Sequence, residues 1–326
     1  MSRSLRILVA SPAAEPGHGG AEWAIWQYVL GLRRLGHEAR LANSVDGVYD
    51  VVLNTSGILP PESIAAIPLR VYLDLDPAFN QLWHLEGIDR HFDGHTHFVT
   101  VGQAIGHATC PVPTLGFQWI GTLPPVVLEE WPLANGVETN ALTTVANFRS
   151  YGSITRDGVI YGQKVHSLRT VITLPRRVGE RFVVAMRLHA DEQVDISALQ
   201  DNGWELIDPC DVAATPRAYR RFVQGSLAEI GIAKSGYVVS HCGWFSDRSA
   251  CYLASGRPVI AQDTGFPQFL PAGDGLMPFG TQDEAALAIE RLRSNYSRHS
   301  RAARAIAEEF LDSDVVLAKL LNQVVT

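Results

Sequence analysis

Short apolar runs alternate with stretches of helical periodicity along most of the chain. The runs that read as strands are Leu5–Ala10, Glu38–Ala42, Asp50–Asn54, Arg70–Leu73 and His97–Val101, with a strand-like piece at Pro113–Phe117. A second set follows at Leu142–Asn147, Arg181–Met186, Trp204–Ile207, Glu229–Ala233 and Pro258–Ala261. Helical patterns lie between several of them. In Ala21–Leu35 the residues Ala24, Tyr28, Leu32 and Leu35 share one face, and Gly36 stops the helix. Lys164–Leu174, Pro216–Val223, Asp283–Asn295 and Arg301–Leu321 repeat the pattern. A stretch rich in proline and glycine, Leu123–Gly136, separates the two sets. Strands alternating with helices in two halves predict an α/β chain with two parallel sheets, each covered by helices. The expected division is 1–125, a linker over 126–140, a second domain over 141–300, and a closing helical segment over 301–326.

Two segments carry candidate chemistry. In the first, the Leu5–Ala10 run ends at Ser11-Pro12, and Gly17-His18-Gly19-Gly20 opens the next helix. Strand, glycine-rich loop and helix let backbone amides approach a phosphate or a sugar closely. The spacing is not the dinucleotide fingerprint, because the third glycine of G-x-G-x-x-G would fall on Glu22. The second segment runs from Gly243 to Gln268. Ser246 suits an N-cap and Asp247 suits the positive end of a helix dipole. Ala250 to Ala254 supply small and apolar helix positions, and Gly256 ends the helix where a left-handed residue is needed. Pro258–Ala261 then starts an interior strand. Unpaired N–H groups at such a helix start can hold a diphosphate.

Together these segments resemble the GT-B glycosyltransferases, most closely the large GT4-like group. Gly19-Gly20 and Gly36-His37 have the spacing of that group's Gly-Gly loop and Gly-His helix end. Gly256-Arg257-Pro258 and Thr264-Gly265-Phe266-Pro267-Gln268 match its Gly-x-Pro strand and Gly-Gly-x-Pro-Glu turn. The departures are specific: the two donor-site glutamates would fall on Gly243 and Cys251, and the closing Glu is Gln268. His241-Cys242-Gly243-Trp244 is similar to the His-Cys-Gly-Trp of plant GT1 enzymes, but lies two residues too far from Gly256. The resemblance implies a GT-B fold, with two Rossmann-like domains whose parallel sheets face across a cleft. It also implies that the C-terminal helix crosses back to the first domain.

The same resemblance implies a glycosyltransferase that moves a sugar from a nucleoside-diphosphate sugar to an acceptor hydroxyl or amine. The nucleotide sugar is a co-substrate, and no cofactor or bound metal is expected. Arg149 and Lys164 then correspond to the Arg and Lys that neutralise the donor diphosphate as the glycosidic bond breaks. Gly19, Gly20, Ser246, Asp247 and Arg248 complete the expected donor site, and Lys234 is placed to reach phosphate. Glu229 either contacts the donor or pairs with a buried cation. Asp208-Pro209 sits where a loop meets the nucleotide base, or is a turn.

His18 is the first candidate for general base, because an imidazole titrating near neutrality can take a proton from an acceptor hydroxyl. Asp74 and Asp76 form the rival pair on one face of a strand end, unless Asp76 caps a helix beginning at Pro77. A His18 base points to inversion, whereas GT4 resemblance points to retention. Trp23, Trp26, Phe79 and Trp83 either line an acceptor pocket or fill the core. His91, His95 and His97 lack the partners of a closed metal site.

The chain has 326 residues, 46% hydrophobic and 19% charged, which is a globular composition. A net charge of −7 gives no electrostatic case for nucleic acid. No apolar run reaches membrane-span length, although a lipid-linked acceptor can be met at a membrane surface. The four cysteines show neither metal spacing nor a disulfide framework, so free thiols in a cytoplasmic protein are expected. Two further classes stay open: a nucleotide-sugar epimerase, and a GT-B binding protein with little or no turnover.

Overall fold

The computed structural model describes residues 4–12 and 18–325. Gly17, the first glycine of the N-terminal loop, lies outside them. The first sheet contains β1 (Arg6–Ala10), β2 (Glu38–Ala42), β3 (Val51–Thr55), β4 (Leu69–Asp74), β5 (His97–Thr100) and β6 (Trp119–Gly121), all parallel, in the order β2-β1-β3-β4-β5-β6. After β7 (Thr139–Asn147), a hairpin of β8 (Ile154–Arg156) and β9 (Val159–Tyr161) interrupts the second domain. The second sheet continues with β10 (Phe182–Arg187), β11 (Trp204–Ile207), β12 (Ser226–Gly231), β13 (Val259–Gln262) and β14 (Leu276–Phe279). Its order is β11-β10-β7-β12-β13-β14, again parallel throughout. Strand order reverses between β1 and β3 in one sheet and between β7 and β12 in the other. These reversals are where open α/β sheets leave a crevice at the strands' C-terminal ends.

Several elements differ from the sequence expectation for local reasons. Pro113–Phe117 is a turn: Leu115 and Gly116 take φ of 57° and 79°, and the Phe117 N–H donates to the Thr114 carbonyl at 3.0 Å. The edge strand forms two residues later, as β6. The Lys164–Leu174 helix divides into Lys164–Thr170 and Leu174–Val178, because Pro175 cannot continue a hydrogen-bonded ladder and instead sits in the first turn of a new helix. Arg301–Leu321 is also divided, into Tyr296–Ile306, a wide turn at Ala307–Leu311 and Ser313–Val324. The break is held by Val126, whose N–H donates to Leu311 at 2.7 Å and whose carbonyl accepts from Ser313 at 2.8 Å. Asp312 caps the last helix through the Asp314 N–H. That helix packs on the first domain, where Leu317, Leu320 and Leu321 share a core with Tyr28, Val29 and Leu32 of the Gly19–Arg34 helix.

The Gly19–Arg34 helix also joins the two domains. Its first turn lies so close to the second domain that a Cβ on Gly19 would meet the Thr215 carbonyl carbon and oxygen at 2.3 Å. Trp23 Nε1 donates to the Pro216 carbonyl at 2.7 Å, and the Val127 N–H donates to the Gln27 side chain at 2.8 Å. The neighbouring backbone at Gly19 cannot swing aside as a side chain tip would, so alanine there overpacks the junction. Gly19→Ala is expected to lower stability by roughly 1–3 kcal/mol in urea unfolding, despite the better helix propensity of alanine.

Candidate active site

One cavity opens at the strand-order reversal of the first sheet, and another lies beside the reversal of the second. A cavity of about 690 Å³ lies over the ends of β1 and β3, lined by Ser11, Thr55, Ser56 and Leu75, with Glu22, Ile25 and Trp26 from the first helix. A second, of about 190 Å³, lies between the domains at the ends of β7 and β10. Asn147 and Arg187, the last residues of those strands, line it together with Gly20, Pro209, Asp247 and Arg248. His18 and Ala21 line both cavities. The imidazole therefore stands at the boundary between an interdomain slot and a larger chamber of the first domain.

The slot carries a helix start and the buried Arg248, with the buried Lys164 close enough to repel it. Ser246 caps the Asp247–Ala254 helix by accepting from the Arg248 N–H at 3.2 Å, as the sequence predicts, and Gly256 ends it at φ 70°. Arg248 is buried; its Nε donates to Glu229 Oε1 and its Nη1 donates to the Val145 carbonyl at 3.1 Å. Burial is the largest influence and works against the guanidinium charge, but Glu229, Tyr219 and Asp247 together outweigh it and hold the charge in place. Glu229 is thus the partner of a buried cation. Lys164 is buried as well, and among the described residues nothing accepts a hydrogen bond from its Nζ, which lies 5.8 Å from the Trp244 ring centroid. Burial, followed by repulsion from Arg248 and Lys234, pushes its pKa well down. Asp247 is half-buried; burial raises its carboxyl against the pull of Arg248.

The other residues expected at the site have different surroundings. Lys234 donates to both Asp76 oxygens at 3.0 Å, and Tyr151 and Tyr237 donate to the same carboxylate. This cluster ties the first domain to the second. Asp76 does not cap a helix at Pro77, because the helix starts at Phe79, after Ala78 at φ 69°. Asp74 is fully buried and accepts from Asn80 at 2.6 Å, Gln81 at 2.9 Å and Thr100 at 2.8 Å, so it holds the turn after β4 and does not reach either cavity. Arg149 is drawn aside by Glu192 at 2.7 Å, which also accepts from the His189 N–H. Gly19 packs against Thr215, whereas Gly20 lines the slot. Of the four aromatics, only Trp26 faces a cavity; Trp23 is buried at the domain junction, and Phe79 and Trp83 pack around Tyr151. Asn147 and Arg187 escaped the sequence reading, although each is the terminal residue of an interior strand. Glu22 and Trp26 share a helical face with His18 at i, i+4 and i+8, a signal present in the sequence.

Two outcomes follow from the buried charges. Lys164 has a folded-state pKa below its unfolded value, so the ligand-free protein gains stability as pH rises through the interval between them. Below that interval the buried ammonium is a net cost. Lys164→Met is therefore expected to raise the ligand-free melting temperature at neutral pH by about 2–4 °C. Glu229→Ala leaves Arg248 uncompensated and is expected to cost roughly 3–5 kcal/mol in chemical denaturation.

No protein-family model matches the sequence, and no curated protein matches it either. Solved structures do match, along essentially the full chain. An alpha-glucosyltransferase in complex with UDP-glucose and DNA containing an abasic site aligns with a TM-score of 0.68 at 9% identity, covering 99% of this chain and 100% of that one. HepE of Anabaena in complex with UDP and glucose gives 0.61 at 12% identity, covering 98% and 99%. Sucrose-phosphate synthase of Thermosynechococcus elongatus gives 0.54 at 13% identity, covering 99% of each chain. At these identities the likeness speaks for architecture: two Rossmann-like domains facing across a cleft, the GT-B fold.

Proposed function

We propose that the protein transfers a sugar from a nucleoside-diphosphate sugar to an acceptor hydroxyl or amine. The observation that carries this reading is the meeting of the two cavities at His18, with a capped helix start and the cations Arg187 and Arg248 on one side only. The slot suits the donor. Its diphosphate would lie against the amides of the Asp247–Ala254 helix, with Arg248 and Arg187 lining the slot and Lys164 close behind. Asp247 would take the sugar hydroxyls. The chamber suits the acceptor. In the reaction the bond from the anomeric carbon to the diphosphate oxygen breaks, and its electron pair leaves on the diphosphate. The acceptor oxygen forms the new bond to that carbon, and its proton passes to the imidazole of His18. The cations stabilise charge that grows as the leaving group departs.

Cationic side chains and helix amides then do the work of a divalent ion, and turnover is expected to persist in EDTA. Four free thiols support a reducing, cytoplasmic setting. No helix among the described residues is long and apolar enough to cross a membrane. An epimerase would need a dense set of carboxylates and histidines around the donor, whereas the slot is lined by one of each, Asp247 and His18. A protein that only binds the nucleotide sugar would show ligand stabilisation without product.

UDP and UDP-glucose, held by structural neighbours, set the first donor panel. One nucleoside diphosphate is expected to raise the melting temperature in a concentration-dependent way, by an amount sharply reduced in Lys164→Met. His18→Ala is expected to keep that shift and to lose about 10²–10⁴ in kcat. Absence of any shift at millimolar nucleotide in folded protein contradicts the donor assignment. An unchanged kcat in the alanine variant contradicts the base.

A further inference from the structure

The chamber has a chemistry of its own, and it narrows the acceptor. This step rests on the transferase reading above. Helical spacing puts His18, Ala21, Glu22, Ile25 and Trp26 along one wall, with Leu41 and Leu75 among the residues opposite. From His18 to Trp26 the wall rises roughly 12 Å, at 1.5 Å per residue. Trp26 is 40% exposed, an uncommon position for an indole unless something covers it. Glu22 is half-buried and forms no ion pair with a described residue. Among the described residues it is the only acidic or basic side chain lining the chamber apart from His18. Arg90 donates to the carbonyl of Ser56, a lining residue, but its guanidinium is already used: that bond is 3.2 Å, another to Asn80 is 3.1 Å, and it lies over the Trp83 ring.

Among the described residues a polyanion would find the Glu22 carboxylate here and no lysine or arginine to meet it. Nucleic acid, sugar phosphates and phospholipid-linked sugars are disfavoured on that ground. An apolar wall ending in an indole favours a flat ring system, and a lone carboxylate midway favours a hydrogen-bond donor at the same depth. A volume of about 690 Å³ is in the range that holds small organic ligands.

We propose that the acceptor is an elongated, non-anionic aromatic alcohol or phenol. It would place its reacting hydroxyl at His18, a second hydroxyl or amine at Glu22 and its distal ring on Trp26. The bond changes are those of the transfer above: the phenolic oxygen bonds the anomeric carbon, its proton goes to His18, and the nucleoside diphosphate departs with the electron pair.

The test uses the full chain with the nucleotide sugar whose nucleoside diphosphate gives the largest thermal shift. Four acceptors are compared by mass spectrometry: a dihydroxystilbene, its monohydroxy analogue, the stilbene monophosphate, and a single-stranded oligonucleotide bearing a hydroxymethyl pyrimidine. The two uncharged stilbenes are expected to gain one sugar, and the phosphate and the oligonucleotide to gain none. Glu22→Gln is expected to raise KM about tenfold for the dihydroxy compound and little for the monohydroxy one. Trp26→Ala is expected to raise KM for both, with the KM for the donor unchanged. Transfer to the oligonucleotide or the phosphate, or equal effects of Glu22→Gln on both stilbenes, overturns the acceptor proposal and leaves the transferase reading in place. So does donor binding with glycosylation of neither stilbene. Failure of every nucleotide to bind removes the transferase reading itself, and this proposal with it.

Discussion

The buried Lys164 lies close enough to the buried Arg248 and the half-buried Lys234 that these two depress its charge, and two carboxylates form ion pairs with Arg248 and Lys234. Glu229 holds Arg248 and Asp76 holds Lys234, which leaves Lys164 with no ionic partner among the described residues. A fold does not keep such an excess of buried positive charge for its own stability, since an unpaired buried ion costs several kcal/mol. It is tolerated where an anion restores the balance. The Asp247–Ala254 helix presents its first amides in the same region, and its partial positive charge adds to the excess. A doubly charged leaving group is the complement of that arrangement.

The domain junction determines where this charge can act. The Gly19–Arg34 helix has one end wedged against Thr215 and its length packed under the last helix of the chain. That double anchorage holds His18, the residue immediately before the helix, at the seam between the slot and the chamber. The Asp76 cluster ties the domains at a second point, and Ala104 donates to the Cys242 carbonyl at a third. The proposed reacting centre therefore belongs to neither domain alone. Each sheet contributes residues at the C-terminal ends of its strands, and His18, just before the first helix, lies between them.

Much of this was legible in the sequence because it is written in local signals. Interior strands announce themselves as apolar runs, and Ser246 and Gly256 mark both ends of their helix by rules that need no tertiary context. Parallel strand order in two halves follows from the alternation of elements. Less legible were features decided by contacts between distant segments. The break at Asp312 depends on Val126, and nothing in the periodicity of 301–321 signals it. Asp74 and Asp76 stand two apart on a strand end, yet one is closed off by Asn80, Gln81 and Thr100 while the other reaches across the cleft to Lys234. Arg149 shows the same limit: Glu192, more than forty positions away, decides where its guanidinium goes. The two glycines were expected to serve phosphate, but Gly19 is required by the approach of another backbone.

The most direct test of the central claim is a crystal structure of the protein with a non-hydrolysable nucleoside-diphosphate sugar analogue. The account requires the diphosphate within hydrogen-bonding distance of the first amides of the Asp247–Ala254 helix and within ionic reach of Lys164 and Arg248. The anomeric carbon should face His18, with the chamber beside Trp26 left open for the acceptor. A diphosphate bound elsewhere, with Lys164 still unpartnered, would contradict it.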